Sequence, residues 1–172
     1  MYTCSMSNSR KYVMVLAIFC ITLCAVLVTK HLTGTDDFAK PVGTLITSPS
    51  KALQYRINSF MEAQRSEDDL GKDNYHCSSL LYGYDEQYAY TWVYCSGYEG
   101  TGSGAEPGTG FSVPTRLEYR QADGQVTGFK QPVDGAGYGN SLRKLFPKKI
   151  YDMTPPANDQ LNQLVAETKA KA

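Results

Sequence analysis

One uninterrupted uncharged run, Tyr12 to Thr29 (YVMVLAIFCITLCAVLVT), constrains this chain more than any other feature. Its 18 residues would span roughly 27 Å as a helix, close to the ~30 Å hydrocarbon core of a bilayer. Arg10 and Lys11 precede it; Lys30 and His31 follow, then Asp36 and Asp37. Apolarity on every face argues against a buried core helix in so small a chain. A cleaved signal peptide carries about 7–15 apolar residues and a small-x-small site. This run is longer, and the KHLTGTDD after it holds no such site. Lipidation requires a small residue before the modified cysteine, whereas Cys20 follows Phe19 and Cys24 follows Leu23. The reading is therefore a transmembrane signal anchor over 12–29. Residues 1–11 stay cytoplasmic, because basic residues ahead of an N-terminal apolar segment favour that orientation. Residues 30–47 form a linker, 48–150 an extracytoplasmic α+β domain, and 151–172 a tail with a marginal helix.

Charge separates the same regions. Lys and Arg number 17, as do Asp and Glu, and every acidic residue lies at or beyond Asp36. Setting Arg10 and Lys11 aside leaves 15 basic against 17 acidic side chains, a balance of −2, which excludes a general pull toward nucleic acid. The 13 Tyr and 6 Phe favour strands and a packed core over disorder.

Cys4, Cys20 and Cys24 lie before or inside the anchor, so Cys77 and Cys95 alone follow it. Two exported cysteines are usually paired. The run HCSSLLYGY, the polar Asp85-Glu86-Gln87 and the run YAYTWVYC read as two strands about a short turn. Centring the turn on Glu86 sets Cys77 opposite Cys95, at about 4.5–5.5 Å between Cα atoms, within the reach of a disulfide. The same register pairs Ser78 with Tyr94, Leu80 with Trp92, Tyr82 with Tyr90 and Tyr84 with Tyr88, an aromatic ladder on one face. His76, pointing to the face opposite Cys77, leaves too few ligands for zinc.

Around this hairpin the remaining elements fall into order. Ser48 or Ser50 can cap a helix running to about Gln64, with Leu53, Ile57, Phe60 and Met61 on one apolar face. Arg65 to Asp73 reads as a solvated acidic connector, lacking the alternation of a calcium loop. Ser96 to Gly110 is glycine-rich and predicts a mobile loop; its GTGSG lacks the context of a phosphate cradle. Phe111 to Arg120 and Gln125 to Val133 predict a second hairpin about Ala122-Asp123-Gly124, with Pro132 at a strand end or edge. A short helix follows near Ser141 to Phe146, stopped by Pro147, and Leu161, Leu164 and Val165 mark the tail helix. The fold class expected is α+β, one helix on a four-stranded antiparallel sheet, in an order similar to the helix-then-meander layout of cystatin-like folds.

From Leu80 to Pro147 the chain resembles small uncharacterised bacterial extracytoplasmic domains. The elements that carry the likeness are TWVYCSGY, Ser112-Val113-Pro114, Pro132-Val133-Asp134-Gly135 with Tyr138 following, and Leu145-Phe146-Pro147. The resemblance implies compartment and fold and brings no activity with it. A cystatin inhibitor's Gln-x-Val-x-Gly is one residue short here, in Gln125-Val126-Thr127-Gly128.

Catalytic chemistry has little to stand on. The only histidines are His31, at the membrane edge, and His76, beside the staple. A bonded cysteine cannot act as a nucleophile. Glu118 with Asp123 or Asp134, near Tyr138, is the carboxylate set an envelope hydrolase would use, and no spacing converges it. The expected function is thus a membrane-anchored binding or assembly module without catalytic activity, cofactor or metal. Its partners would be the lipid bilayer through 12–29 and an envelope protein. Tyr82, Tyr84, Tyr90 and Trp92, with the basic Arg143 and Lys144, are the residues put forward as its interaction surface. The tyrosine-bearing face would otherwise pack beneath the helix Leu53–Met61.

Overall fold

The computed structural model describes residues 37–64 and 74–172. The apolar run 12–29, the flanking segments up to residue 36 and the connector Arg65–Asp73 lie outside the described residues. Among the described residues no helix is long and apolar enough to cross a membrane. Residues 38–172 form one compact unit.

Helix α1 (Lys51–Ala63) starts where the Ser50 side chain accepts a hydrogen bond from the Leu53 N–H at 3.4 Å. Four strands follow, β1 (Tyr75–Tyr84), β2 (Tyr88–Glu99), β3 (Glu106–Arg120) and β4 (Gln125–Lys130), forming an antiparallel sheet in the order β1-β2-β3-β4. Helices α2 (Tyr138–Leu145), α3 (Lys148–Tyr151) and α4 (Asn158–Lys169) complete the chain. The architecture is α+β, with a four-stranded antiparallel sheet as its frame.

Cys77 and Cys95 are disulfide-bonded, directly opposed on β1 and β2 with Cα atoms 4.1 Å apart. So short a spacing marks a non-hydrogen-bonded pair. Accordingly, the Cys77 N–H and C=O turn outward, to the Glu62 carboxylate (2.9 Å) and to the Lys171 ammonium. Ser78 faces Tyr94 and Leu80 faces Trp92, as the turn-centred register predicts.

Beyond Leu81 that register fails. Tyr90 faces Gly83 and Ala89 faces Tyr84, so Tyr82 is an extra residue in β1. The cause lies at the turn. Asp85 is 2 % exposed, and its carboxylate accepts hydrogen bonds from the N–H groups of Gln87 (2.9 Å), Tyr88 (2.8 Å) and Val42 (3.0 Å) and from the Tyr90 hydroxyl (2.6 Å). Holding those donors draws the turn in by one residue. The expected pairs Tyr82–Tyr90 and Tyr84–Tyr88 therefore do not form. Tyr82 stays on one face, and Tyr84 swings to the other.

Helical layers cover both faces of the first hairpin, in place of the single helix the sequence predicts. Beneath α1, Leu53, Ile57 and Met61 pack on Cys77, Leu81, Val93, Cys95 and Leu117. On the opposite face Tyr82 and Tyr90 pack with Leu142, Phe146 and Ile150 of the α2–α3 segment. The tyrosine face thus lies under α2 and α3, not under α1. Helix α3 was not legible in advance, because Pro147 both ends α2 and begins the next helix, its carbonyl accepting from Ile150 and Tyr151 at 2.9 Å.

Much of the glycine-rich stretch is strand, not loop. β2 runs on to Glu99 and β3 starts at Glu106. A Cβ at Gly110 would collide with the Cys95 carbonyl, so the glycine is what lets the two strands approach. β4 stops at Lys130, short of Val133, since Pro132 has no N–H and the Val133 N–H turns to the Ser141 hydroxyl (3.0 Å).

Two outcomes follow for stability. The pair Cys77→Ala and Cys95→Ala should lower unfolding free energy by about 2–4 kcal/mol in urea titrations, with unchanged far-UV circular dichroism at zero denaturant. Asp85→Ala strands four donors and should cost at least about 3 kcal/mol in the same assay, with Asp85→Asn between it and wild type.

Candidate functional site

The residues put forward from sequence do not gather on one surface. Tyr82 and Tyr90 are 4 % and 1 % exposed and belong to the core, a correction that follows from α2 and α3 covering their face. Burial drives both phenols above their ordinary pKa, with Asp85 adding to the rise at Tyr90. Trp92 is half-buried, its Nε1–H donating to the Ser112 hydroxyl at 2.8 Å. Tyr84 stands on the α1 side, with the sheet between it and Trp92. On α2, Arg143 donates to the Asn140 side chain (2.6 Å), and Lys144 is exposed. Lys148 pairs with Asp152 at 3.0 Å, which takes one member out of the basic group.

Two of the three carboxylates named for hydrolysis already face cations. Glu118 stands 4.0 Å from Lys130, and Asp123 is held by Arg120. His76 lies 3.9 Å from Glu62, and burial lowers its pKa against the opposing pull of that carboxylate. Among the described residues no three His, Cys, Asp or Glu side chains gather as a metal centre.

A different region emerges between α1 and the β3–β4 hairpin. α1 buries Leu53, Ile57 and Met61, so the helical period turns Tyr55, Arg56 and Ser59 outward. Tyr55 is 73 % exposed, far more than a core-side tyrosine. Opposite them, Tyr84 and Tyr119 meet edge to face at 6.5 Å. The Tyr119 hydroxyl donates to the Asp85 carbonyl, which fixes its ring to the same turn that the Asp85 carboxylate organises. The β3–β4 turn closes on Gly124, whose φ of 65° suits glycine. Arg56 rests there, so close that a Cβ on Gly124 would lie 2.8 Å from the guanidinium.

Two cavities share Arg56. One of about 290 Å³ is bounded by Ser50, Leu53, Tyr84, Tyr119 and Asp123. The other, of about 390 Å³, is bounded by Tyr55, Ser59, Phe60, Gln125 and Val126. Phe60 and Phe129 extend its apolar wall, their rings 6.3 Å apart, and Phe129 remains 37 % exposed. Asp123 does not neutralise Arg56, because Arg120 takes it in a fork (2.7 and 3.0 Å) and the Gln125 N–H adds a third bond at 3.0 Å. Among the described residues Arg56 has no ion-pair partner. The arrangement offers guanidinium donors between two aromatic walls, suited to a ligand with a carboxylate beside an apolar group. Sequence reading missed it because an exposed Tyr55-Arg56 on a helix resembles any solvated face. Val126 and Phe129 stand three residues apart, off the strand period, and only the extra residue Thr127 in β4 brings them to one face.

No family model, curated protein or solved structure matches the chain, so the region is interpreted from its own geometry.

The turn that positions Gly124 carries a pH dependence. The Arg120 guanidinium and the Gln125 N–H hold the Asp123 carboxyl down at about 2, below its ordinary 3.8. A depressed carboxylate stabilises the fold above its unfolded pKa and ceases to do so as pH falls through the folded one. The Gln125 amide resonance should therefore follow the folded carboxyl and shift with a midpoint near pH 2. Asp123→Asn should abolish that shift, as followed by two-dimensional NMR.

Proposed function

We propose that this chain is a membrane-anchored binding or assembly module that acts outside the cytoplasm without catalysis. The observation that carries the binding reading is the Arg56-centred groove, where, among the described residues, a cation without an ion-pair partner and exposed aromatic side chains meet uncovered. Compartment rests on other grounds. A disulfide between two fully buried cysteines of the soluble unit supports maturation in an oxidising space, since thiols of cytoplasmic proteins are kept reduced. The apolar run 12–29 is long enough for a single pass and would hold the unit at the membrane surface. The helix-then-meander order is in keeping with a cystatin-like layout, to which α2 and α3 add a second layer. The likeness to bacterial extracytoplasmic domains points to the same compartment.

Two measurements test the proposal in the cells that express the chain. Alkylation under denaturing conditions should modify Cys77 and Cys95 only after reduction. Full modification without reductant would place the unit in a reducing compartment. A photo-reactive residue at Tyr55 should yield one discrete cross-linked product with an envelope protein, absent when the probe stands at Lys149. Turnover of a substrate with no such product would sink the non-catalytic reading.

A further inference from the structure

A four-stranded open sheet has two outer edges, and here they are treated very differently. The β1 edge is covered at three places along its length. Cys77 is bonded outward to Glu62 and Lys171, the Ser79 carbonyl accepts from the Gln54 amide, and Tyr84 pairs with Ile46 through bonds of 2.8 and 2.9 Å. Such cover blocks pairing with a foreign strand. From Val126 to Lys130 the β4 edge has no equivalent. Among the described residues nothing beyond β3 bonds to that backbone. The groove lined by Tyr55, Arg56 and Phe60 runs beside this same edge.

An added strand has a fixed side-chain period, so alternate residues of an extended segment on β4 would enter the groove and meet Phe60 and Phe129. Two cations flank the path, and among the described residues Arg56 has no ion-pair partner and Lys130 only an exposed 4.0 Å contact to Glu118. An exposed pair of that kind is worth little, so Lys130 remains open to a better one. These charges also decide against a second copy as the occupant. β4 has six residues and ends in Lys130 with Pro132 just beyond, features that oppose edge-to-edge self-pairing.

We propose that the open β4 edge and the groove beside it bind an extended segment of a partner protein whose groove-facing positions, every second residue, combine apolar and acidic side chains. The segment adds as a fifth strand, with a groove-facing carboxylate on Arg56 and groove-facing apolar side chains against Phe60 and Phe129, while a carboxylate on its other face can meet Lys130, which alternates with Phe129 along β4. This inference rests on the binding reading above and supplies the chemistry of the partner.

A random heptapeptide library displayed on phage would be selected on the full chain in detergent micelles. Enriched sequences should carry an acidic residue two or four positions from an apolar one. A selected peptide should bind about fivefold more weakly when its acids become amides. N-methylation of its strand-pairing amides should weaken binding about tenfold, with the protein itself untouched. Arg56→Gln should weaken the acidic peptide and not its amide counterpart. Absence of enrichment, enrichment without acids, or indifference to N-methylation or to Arg56→Gln would each overturn the inference. So would a dimer, seen by light scattering, that is lost on Phe129→Ser. Should the Tyr55 cross-link persist in Arg56→Gln while the peptides fail, binding would stand and this account of the partner would fall.

Discussion

A buried carboxylate with no ion-pair partner among the described residues determines how this sheet is assembled. Asp85 is 2 % exposed and relies on three backbone N–H groups and the Tyr90 hydroxyl. An ionised group taken from water without such donors would cost far more than a small domain's net stability. Supplying the donors fixes the turn, and fixing the turn forces Tyr82 out of register. That one extra residue divides the aromatic side chains of β1 between two faces. Tyr82 goes to the α2–α3 core and Tyr84 to the α1 side, where it meets Tyr119. The second tyrosine wall of the groove is tied to the same residue, since Tyr119 donates to the Asp85 carbonyl.

β2 then supplies both cores in alternation, and the side-chain sizes follow what each helical layer provides. Towards α1, a 13-residue helix with three buried aliphatic side chains, β2 presents the smaller Ala89, Val93 and Cys95. Towards α2 and α3, of 8 and 4 residues, it presents Tyr90 with Trp92 alongside. Short helices bring little apolar area, so the strand contributes the bulk. α1 reaches only as far as Leu117 and Val126 on the far strands. Its outer side and the β3–β4 hairpin are left to form the walls of a groove.

The parts of this arrangement that depend on local spacing were legible in the sequence. Cys77 opposite Cys95, the Ser50 cap, and the order of helix and strands follow from turn position and apolar period. What depends on distant partners was not. The register holds to Leu81 opposite Thr91 and breaks where the Asp85 carboxylate gathers a donor from Val42, 43 residues away. Composition misled at Ser96–Gly110, since glycine there permits close strand approach rather than freedom. Which edge is sealed was equally hidden, because the Lys171 that covers Cys77 lies 94 residues along the chain. Arg56 showed no signal at all. Its significance comes from Asp123 being occupied by Arg120, a fact of three-dimensional arrangement.

The balance of forces in the groove sets what each part can contribute to recognition. Beyond Arg10 and Lys11 the chain carries 15 basic against 17 acidic side chains, so no long-range field draws an acidic ligand in. Arg56 is exposed, and attraction between solvent-exposed charges fades within about 8 Å at physiological salt. Charge therefore acts late, after contact, and discriminates more than it binds. Affinity has to come from the unpaired backbone of β4 and from the aromatic side chains that flank it, both of which gain by leaving water together with a strand. The cover on β1 is the complement of that arrangement: with Glu62, Gln54 and Lys171 bonded to that edge, a segment adding to this sheet would go to β4, where Arg56 on the groove side and Lys130 on the other would set its register.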